Sequence, residues 1–251
     1  MTKTLAVDIG GTFTDVVLLN PEGGYQVKKV SSTPSDYAVG ILNGATQLFS
    51  EHDVDGTSIQ EIIHGTTVAS NTVLENKGVE TALLTTKGFR DVLELRRLRV
   101  PHLYSLFYEP PNPLVSRRLR LEIDERIGAQ GEIVRPLDEA SIFKAIERIR
   151  EEGASSIAIC LLHSYRNGDH ERQVGEIVRR ELPDLFCCLS VDVLAEIREY
   201  ERTSTTVINA YLGPIVKSYM DSLNKKAISA GISAPLRIMQ SNGGVMSAET
   251  A

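Results

Sequence analysis

The sequence has few features that would tie the chain to a membrane, to nucleic acid or to an oxidising compartment. No apolar run approaches the roughly 18–20 residues of a membrane span, and the N-terminus leads directly into a strand-like stretch without a signal peptide. Only three cysteines occur in 251 residues, without Cys-x-x-Cys spacing, which is typical of reduced cytoplasmic thiols. The net charge of −6 disfavours nucleic acid or an anionic membrane as the main partner. We therefore predict a cytoplasmic protein that binds neither.

The common nucleotide-binding and zinc-binding motifs are also missing. Neither Gly-x-x-x-x-Gly-Lys-Ser/Thr nor Gly-x-Gly-x-x-Gly occurs, so a Walker-type or dinucleotide-binding loop is excluded at the motif level. His163 and His170 are separated by a spacing that fits no standard zinc site. The composition is that of an ordinary globular protein, with 42% hydrophobic and 24% charged residues. The length allows one large domain or two small ones.

Strand and helix patterns alternate along most of the chain. Three strands joined by tight turns come first, and a helix with apolar residues at helical spacing follows them. Later strands are separated by helical segments, which predicts an α/β fold with a mixed, mostly parallel sheet covered on both faces. The predicted strands are 5–9, 13–19, 26–31, 61–64, 79–85, 156–162, 185–191 and 236–240.

Three further local predictions follow from the pattern. Residues 119–123 and 132–135 resemble the two strands of a hairpin. A long helix is expected from near Thr203 to a cap near Gly231, and Pro214 should bend or restart it. The final residues 247–251 resemble the first turn of a helix, which suggests that the sequence is a fragment. We place a domain boundary near residue 200, before the long helix.

The sharpest site motif is Asp8-Ile9-Gly10-Gly11-Thr12-Phe13-Thr14-Asp15, on the turn between the first two strands. Gly10 and Gly11 let the backbone approach an oxyanion and point amide groups at it. Thr12 and Thr14 add hydroxyl donors, and Asp8 can hold Mg²⁺ through water. The alternative is an ordinary Gly-Gly hairpin, but the order strand, Asp, Gly-Gly-Thr, strand favours a phosphate-binding loop.

A second candidate turn is Gly65-Thr66-Thr67, which joins a strand to a helix. Such turns lie at the carboxyl edge where α/β sheets place their ligands, so its hydroxyls and the helix N-terminus are candidates for a second anion site. Asn71, four residues beyond Thr67, lies on the same helix face. Equally well, Thr66 simply caps the helix.

Charged residues near the middle of the chain are weaker candidates. Arg90, Asp91, Arg96 and Arg97 flank a stretch without regular patterning, and arginine presents a fork of donors to a carboxylate or imide. A solvated charged surface is the simpler interpretation. His64 ends a strand beside the second turn, where either a proton carrier or a packed histidine is possible.

The octet resembles the first phosphate loop of the actin-like ATPase superfamily, and the whole chain resembles the hydantoinase/oxoprolinase family, A-subunit (N-methylhydantoinase A-like) type. Four further stretches carry the resemblance in the same order along the chain: His64-Gly65-Thr66-Thr67-Val68-Ala69-Ser70-Asn71, Gly88-Phe89-Arg90-Asp91-Val92, Glu196-Ile197-Arg198-Glu199-Tyr200-Glu201-Arg202-Thr203-Ser204-Thr205-Thr206 and Gln240-Ser241-Asn242-Gly243-Gly244.

The resemblance implies a ribonuclease-H-like α/β domain over residues 1–200 and the start of a second domain over 201–251. It implies an ATP- and Mg²⁺-dependent hydrolase that opens cyclic amides such as hydantoins or 5-oxoproline. It also implies a B-type partner subunit and a homo- or hetero-oligomer in the full-length form. The implied catalytic residues are Asp8, Thr14, Asp15, Thr66 and Thr67, with Asp8 on the metal, Gly10, Gly11 and Thr12 on the nucleotide, and Asn71, Arg90, Asp91 and Arg96 on the substrate.

The sequence departs from the family pattern in one respect. A second Asp-x-Gly-Gly-Thr loop and the adenosine-binding segment are missing, and Ser241-Asn242-Gly243-Gly244-Val245 does not replace them, because it has Asn where the metal-directed Asp would stand. We therefore expect this chain to bind ATP weakly or not at all and to be inactive alone. Two alternatives stay open: a subunit of an ATP-dependent ketone carboxylase, and a non-catalytic regulatory subunit that keeps the fold.

Overall fold

The computed structural model describes residues 3–33, 36–97, 104 and 107–247. Internal packing divides the chain into two compact units, one of residues 1–77 and 215–251 and the other of residues 78–214. Numbered in chain order, the strands are β1 Lys3–Ile9, β2 Phe13–Leu19, β3 Tyr25–Ser31, β4 Ile59–Thr66, β5 Thr81–Thr86, β6 Arg120–Ile123, β7 Arg126–Ile127, β8 Ile133–Arg135, β9 Ser156–Cys160, β10 Phe186–Leu189, β11 Leu236–Met239 and β12 Val245–Ser247. The helices are α1 Tyr37–Glu51, α2 Val68–Leu74, α3 Val92–Leu95, α4 Glu139–Glu152, α5 Asp169–Glu181, α6 Ser190–Val193 and α7 Glu199–Ser229.

The first unit is built on a six-stranded sheet in the order β12-β11-β4-β1-β2-β3. β4 is parallel to β1 and to β11, and the remaining neighbours are antiparallel. Side chains alternate between the two faces of a strand, so Leu5, Val7 and Ile9 are buried while Asp8 between them is exposed. Helix α1 and the C-terminal part of α7 supply the other half of this core.

The second unit contains the four-stranded sheet β10-β9-β5-β6, in which all neighbouring strands are parallel. β5 and β9 are buried along their whole length, as expected for central strands covered on both faces. Helix α4 begins where the Asp138 carboxylate accepts a hydrogen bond from the Ala140 amide, and it ends at Gly153 in the left-handed conformation. Its apolar face packs into the same core as the sheet.

The predicted hairpin of residues 119–123 and 132–135 is wrong. β6 pairs in parallel with β5, and β8 pairs instead with the short strand β7 in a separate two-stranded ribbon. The physical reason is burial: Leu119 and Ile123 are fully buried in the core, whereas Ile133 and Val134 of β8 are exposed. Strands with such different surroundings do not belong to one hairpin.

Helix α7 runs through Pro214 as one helix, so the predicted restart does not occur. Proline removes one helical hydrogen bond and displaces the carbonyls of the preceding turn. The carbonyl that loses its helical donor is that of Ala210, four residues before Pro214. The next carbonyl, that of Tyr211, accepts a hydrogen bond of 3.2 Å from the Val79 amide outside the helix.

Several strand ends also differ from the predictions: β4 is two residues longer at each end, β5 begins two residues later, and β9 ends two residues earlier. The strand predicted to reach residue 191 ends at Leu189, where α6 begins. Ser247, predicted as the start of a helix, lies in β12, and residues 248–251 lie outside the described residues.

The predicted α/β class is confirmed. In the first unit an antiparallel β3-β2-β1 meander is followed by α1 and by β4 parallel to β1, which is the strand order of a ribonuclease-H-like fold. The domain boundary near residue 200 stays a prediction. No helix in the described ranges is both long and apolar enough to cross a membrane.

Candidate functional site

The turn between β1 and β2 presents exposed backbone amides. The Gly10 amide donates to the Phe13 carbonyl at 2.9 Å and closes the turn, and a Cβ on Gly10 would lie only 3.1 Å from that carbonyl oxygen. Gly11 and Thr12 at the tip are exposed, and within the described residues their amides have no protein acceptor. Successive free amides in a turn are groups that can bind an anion.

Ser32 stabilises this turn through hydrogen bonds of its side chain and its amide. Its hydroxyl donates to the Gly10 carbonyl at 2.8 Å and lies 3.0 Å from the Thr14 hydroxyl, while its amide donates to the Thr12 carbonyl at 2.9 Å. Thr14 is fully buried, so its hydroxyl faces Ser32 and not the solvent. Sequence reasoning did not find Ser32. A serine directly after a strand is common, and its register with the turn is visible only in the sheet.

The second turn lies beside the first at the same sheet edge. Asp8 pairs with Gly65, and Ile9 pairs with Thr66, in the parallel β1–β4 ladder. The Thr67 hydroxyl donates to the Ile9 carbonyl at 3.2 Å, and Asn71 donates to the Thr67 hydroxyl at 3.3 Å. The expected proximity of Asn71 to this turn is therefore confirmed.

Thr66 is not the N-cap of α2, because that position is taken by Thr67, whose side chain makes no capping hydrogen bond. The Thr66 hydroxyl instead accepts a hydrogen bond of 3.1 Å from the amide of Val68, the first residue of α2. Gly65 leaves room for the neighbouring carboxylate, since a Cβ there would lie 3.3 Å from Asp8 Oδ1.

Two carboxylates face each other across β1 and β2. Asp8 and Asp15 are directly opposite in the antiparallel register, and Asp15 forms an ion pair of 3.1 Å with Lys29 on β3. Like charges in directly opposed positions destabilise a sheet. Lys29 compensates Asp15, but no described cation pairs with Asp8. The first turn thus combines free amides with an exposed carboxylate that favours a cation.

His64 is a packed histidine. It is fully buried, and its Nε2 lies 2.6 Å from the hydroxyl of Tyr219 on α7. Burial lowers its pKa to about 4, although the Val7 carbonyl partly opposes this effect. Burial also raises the pKa of Tyr219 above its usual range. A histidine that stays neutral in this way is a poor proton carrier near pH 7.

The predicted substrate residues of the middle segment lie in the second unit. The Asp91 carboxylate accepts two hydrogen bonds of 3.1 Å from Arg117, which lower its pKa. Arg96 has a φ of 56°, which is unusual for a residue other than glycine. Arg90 lies next to Asp91 and helps to lower its pKa. The Asp91 carboxylate is therefore paired with Arg117, and the substrate role of Arg90, Asp91 and Arg96 stays a prediction.

A buried polar network in the second unit was also missed. Glu171 is fully buried and accepts hydrogen bonds from the Leu161 and Val191 amides and from the Ser190 hydroxyl; burial nevertheless raises its pKa. Arg202 is buried as well and donates to the Leu161 carbonyl at 2.7 Å. These contacts give Glu171 and Arg202 a structural role in the second unit.

Metal-binding side chains are not concentrated anywhere in the described part of the chain. No group of three or more His, Cys, Asp or Glu residues there is arranged to hold a metal ion. The Cys187 and Cys188 thiols have pKa values raised by burial to about 11 and about 12, so both are protonated and unreactive near neutral pH.

The sequence matches the models of one protein family over most of its length. The model of the hydantoinase/oxoprolinase N-terminal region matches residues 4–182, and that of hydantoinase/oxoprolinase matches residues 202–251. The chain therefore belongs to the hydantoinase/oxoprolinase family.

Two similar solved structures are of ATP-dependent enzymes. The chain is 42% identical to caprolactamase subunit alpha of Pseudomonas jessenii over 250 residues, covering 96% of this chain and 36% of that subunit. The crystal structure of the ATP-dependent caprolactamase superposes with a TM-score of 0.89 at 40% identity, over 96% of this chain and 36% of that one. Nucleotide-free acetone carboxylase, 26% identical, gives a TM-score of 0.89 over 98% of this chain and 37% of that one.

A third relative is 5-oxoprolinase of Saccharomyces cerevisiae, which is 33% identical over 286 residues, covering 96% of this chain and 22% of that protein. The chain thus spans little more than a third of the caprolactamase subunit and less of the oxoprolinase.

Proposed function

We propose that this chain carries the first phosphate-binding loop of an ATP-dependent enzyme that opens cyclic amides by phosphorylating the amide oxygen. The observation that carries the proposal is the end of the sheet where the turn with the free amides of Gly11 and Thr12 follows β1, and where β1 with its exposed Asp8 is paired with β4 and the turn at Thr67. The similarity to a caprolactamase subunit supports the substrate class.

The chemistry explains why such an enzyme needs a phosphoryl donor. An amide carbonyl is stabilised by resonance, and its oxygen is a poor leaving group. Transfer of the γ-phosphoryl group of ATP to that oxygen forms an O–P bond and breaks the bond between the γ-phosphorus and the bridging oxygen, which leaves with ADP. Loss of the amide N–H proton to solvent then gives an imidate phosphate; water attacks its carbon, and phosphate leaves. Such a transfer requires mainly positioning and neutralisation of charge, which amides and hydroxyls at a sheet edge supply.

Asp8 is the residue that would hold Mg²⁺. It is exposed, lies beside the glycine at position 65 and has no described cationic partner. Mg²⁺ keeps much of its water shell, so one or two carboxylates suffice. When bound, the ion would neutralise phosphate charge. Gly10, Gly11 and Thr12 would orient the phosphate, and Thr14 would support the turn from beneath.

The remaining assignments are also proposals. Residues 1–200 would form the N-terminal domain and residues 201–251 the start of a second one, which the two matched regions support. A complete subunit would work with a B-type partner in a homo- or hetero-oligomer in the cytoplasm. The catalytic set would include Asp15, Thr66 and Thr67, and the substrate set Asn71, Arg90, Asp91 and Arg96.

The alternative is a subunit of an ATP-dependent ketone carboxylase, favoured by the similarity to acetone carboxylase. Both reactions consume ATP, so the distinguishing experiment measures ADP release by a complete enzyme that carries this sequence. The substrates would be caprolactam, hydantoin, 5-oxoproline, and a ketone with bicarbonate. We expect release with at least one cyclic amide. Release only with ketone and bicarbonate would contradict the proposal.

A further inference from the structure

One face of the six-stranded sheet in the first unit is open. Side chains alternate between the two faces of a strand, and α1 and α7 pack against the face that carries Leu5, Val7 and Ile9. On the opposite face, the side chains of β1, β2, β3 and β4 are all partly or largely exposed. Nothing in the described part of the chain buries this surface, which we name the outer face.

The outer face differs from the polar surface that a sheet usually turns toward water. The register places Val27 of β3 opposite Val17 of β2, and Val17 opposite Ala6 of β1. Ala6 in turn lies opposite Ile63 of β4. An unbroken apolar row therefore crosses four neighbouring strands. Contiguous apolar surface of this kind marks an interface more often than a free surface.

The apolar surface is widest and most exposed at β3. Leu19 and Tyr25 are cross-strand partners that lie beside Val17 and Val27. Tyr25 is 69% exposed and Val27 52% exposed, although both are large apolar side chains in a regular strand. Removing such side chains from water is favourable in proportion to the apolar area that is buried. The outer face therefore gains stability from an element that covers it.

The charges of the outer face determine what kind of element fits it. Apart from Asp8, which lies at the candidate site, the charged side chains are paired with each other. Asp15 pairs with Lys29 at 3.1 Å, and Glu61 pairs with Arg237 at 3.4 Å. The face thus offers no excess charge to attract a strongly acidic or basic partner. An element with an apolar side is the better fit.

The position of β12 indicates where such an element comes from. β12, the last described element, forms the edge of the same sheet opposite to β3, and the chain spans only 36% of the similar caprolactamase subunit. Six strands about 4.8 Å apart span about 24 Å from β12 to β3. A helix of about 16 residues, at 1.5 Å per residue, crosses that distance.

We propose that in the complete subunit the segment that follows residue 251 covers the outer face with an amphipathic helix, whose apolar side lies on Val17, Val27 and Ile63. The opposite face of the sheet is already covered by helices α1 and α7, and sheets with parallel strands usually have both faces covered. A helix in this place buries the apolar row and leaves the charge pairs beside it in water. The proposal does not depend on the reaction proposed above.

Photo-crosslinking tests the proposal by identifying the occupant of the outer face. In the purified complete subunit, without its partner subunit, p-benzoylphenylalanine would replace Tyr25 and link under ultraviolet light to whatever lies against it. We expect a product of monomer mass, in which mass spectrometry finds the peptide of position 25 joined to a peptide from beyond residue 251. The control carries the same probe in place of Val134, which is 62% exposed in β8 of the second unit. It should give no link to that peptide.

Every other product would overturn the proposal. A product of twice the subunit mass would show that a second copy of the chain covers the outer face. A product that forms only after the partner subunit is added would show that the partner covers it. A link confined to residues 1–251, or no link at all, would show that the segment after residue 251 does not lie there.

Alkylation of an introduced cysteine measures the covering independently. In the complete subunit, Val27→Cys should react with iodoacetamide about tenfold or more slowly than the same thiol in the urea-unfolded subunit, because a covered site reacts only when it opens locally. Val134→Cys, at an exposed position, should react at nearly its unfolded rate. Peptide mass spectrometry separates these thiols from the native Cys187 and Cys188. Equal native and unfolded rates for Val27→Cys would contradict the proposal.

Discussion

At the scale of single residues, the side chains of β1 and β2 point to two faces of the sheet that have different roles. Asp8 and Asp15 point to one face, where a metal or phosphate can reach them, whereas Ile9 and Thr14 point to the other. The same alternation was available in the sequence, since Thr14, Val16 and Leu18 share a parity. This alternation predicts that the Thr14 side chain is buried. Thr14 was instead interpreted as a phosphate ligand, because its hydroxyl lies next to a glycine-rich turn.

Ser32 makes three hydrogen bonds to the turn between β1 and β2. Replacing Ser32 by alanine removes one hydrogen bond to the Gly10 carbonyl and leaves the buried Thr14 hydroxyl without its partner. We expect the free energy of unfolding to fall by about 1–3 kcal/mol, the usual cost of a buried polar group left unpaired. Urea unfolding of the chain would measure it.

The neighbouring exposed Ser31, the last residue of β3, supplies the control, because Ser31→Ala removes a hydroxyl that is not buried in the turn. Equal effects of the two substitutions would show that the turn is not held by Ser32.

His64 should make stability depend on pH. Its pKa is lowered from 6.5 to about 4 in the folded chain. Between those values the unfolded chain binds a proton that the folded chain does not, so stability is lost as the pH falls from 6.5 to 4. The loss approaches about 3 kcal/mol, at roughly 1.4 kcal/mol for each unit of pKa shift. Denaturant unfolding over this pH range would measure it.

The matched variants are His64→Gln, which removes the titrating group, and His52→Gln at an exposed position. The first should flatten the pH dependence, and the second should leave it as it is. A wild-type slope that survives in His64→Gln would mean that other groups cause it.

At the scale of secondary structure, local sequence patterns predicted well where the strands lie but poorly which strands pair with each other. β1, β2 and β3 were located nearly to the residue, because apolar alternation is bounded by Gly and Pro turns. The error at β6 and β8 had a different cause. Their sequences are compatible with a hairpin, but the partner of β6 is β5, more than thirty residues earlier. Which strands become neighbours is decided by burial across the whole sheet, and no local window contains that information.

The junction before β5 depends on a close contact with α7. A Cβ on Gly78 would lie 2.0 Å from the Tyr211 ring, which is itself buried. Gly78→Ala should therefore force the ring to shift and lower the free energy of unfolding by about 1–3 kcal/mol, the usual cost of overpacking.

Gly11→Ala is the control, because a Cβ there has no neighbour within 4 Å. Thermal unfolding of both variants measures the difference. A Gly78→Ala variant as stable as the wild type would indicate that the helix and the strand do not approach this closely.

For the whole molecule, the chain has the proposed first phosphate loop, and no second Asp-x-Gly-Gly-Thr motif occurs in the 251 residues. If the nucleotide needs both loops, isothermal calorimetry should show weak or no binding of Mg-ATP to this chain, and no ADP should form. Tight binding of Mg-ATP would refute this expectation.

The candidate site was predictable where it follows strand ends. Asp8, the glycine turn and the turn at Gly65 were all identified from motif and position, because parallel strands bring their carboxyl ends to one edge. The residues that support these turns could not be predicted in the same way. Ser32 and Tyr219 are distant in sequence from the residues they contact, and only the folded sheet and α7 bring them close.

The central claim is that Asp8 and the adjoining turn serve phosphoryl transfer in a complete enzyme. The most direct measurement is substrate-dependent ADP release by that enzyme with Asp8→Asn, compared with Asp221→Asn at an exposed position of α7. The account predicts a loss of about 10²–10³-fold for Asp8→Asn, typical of removing one stabilising group from a charged transition state, with assembly and the Asp221→Asn rate unchanged. An Asp8→Asn enzyme that assembles and turns over at the wild-type rate would contradict it.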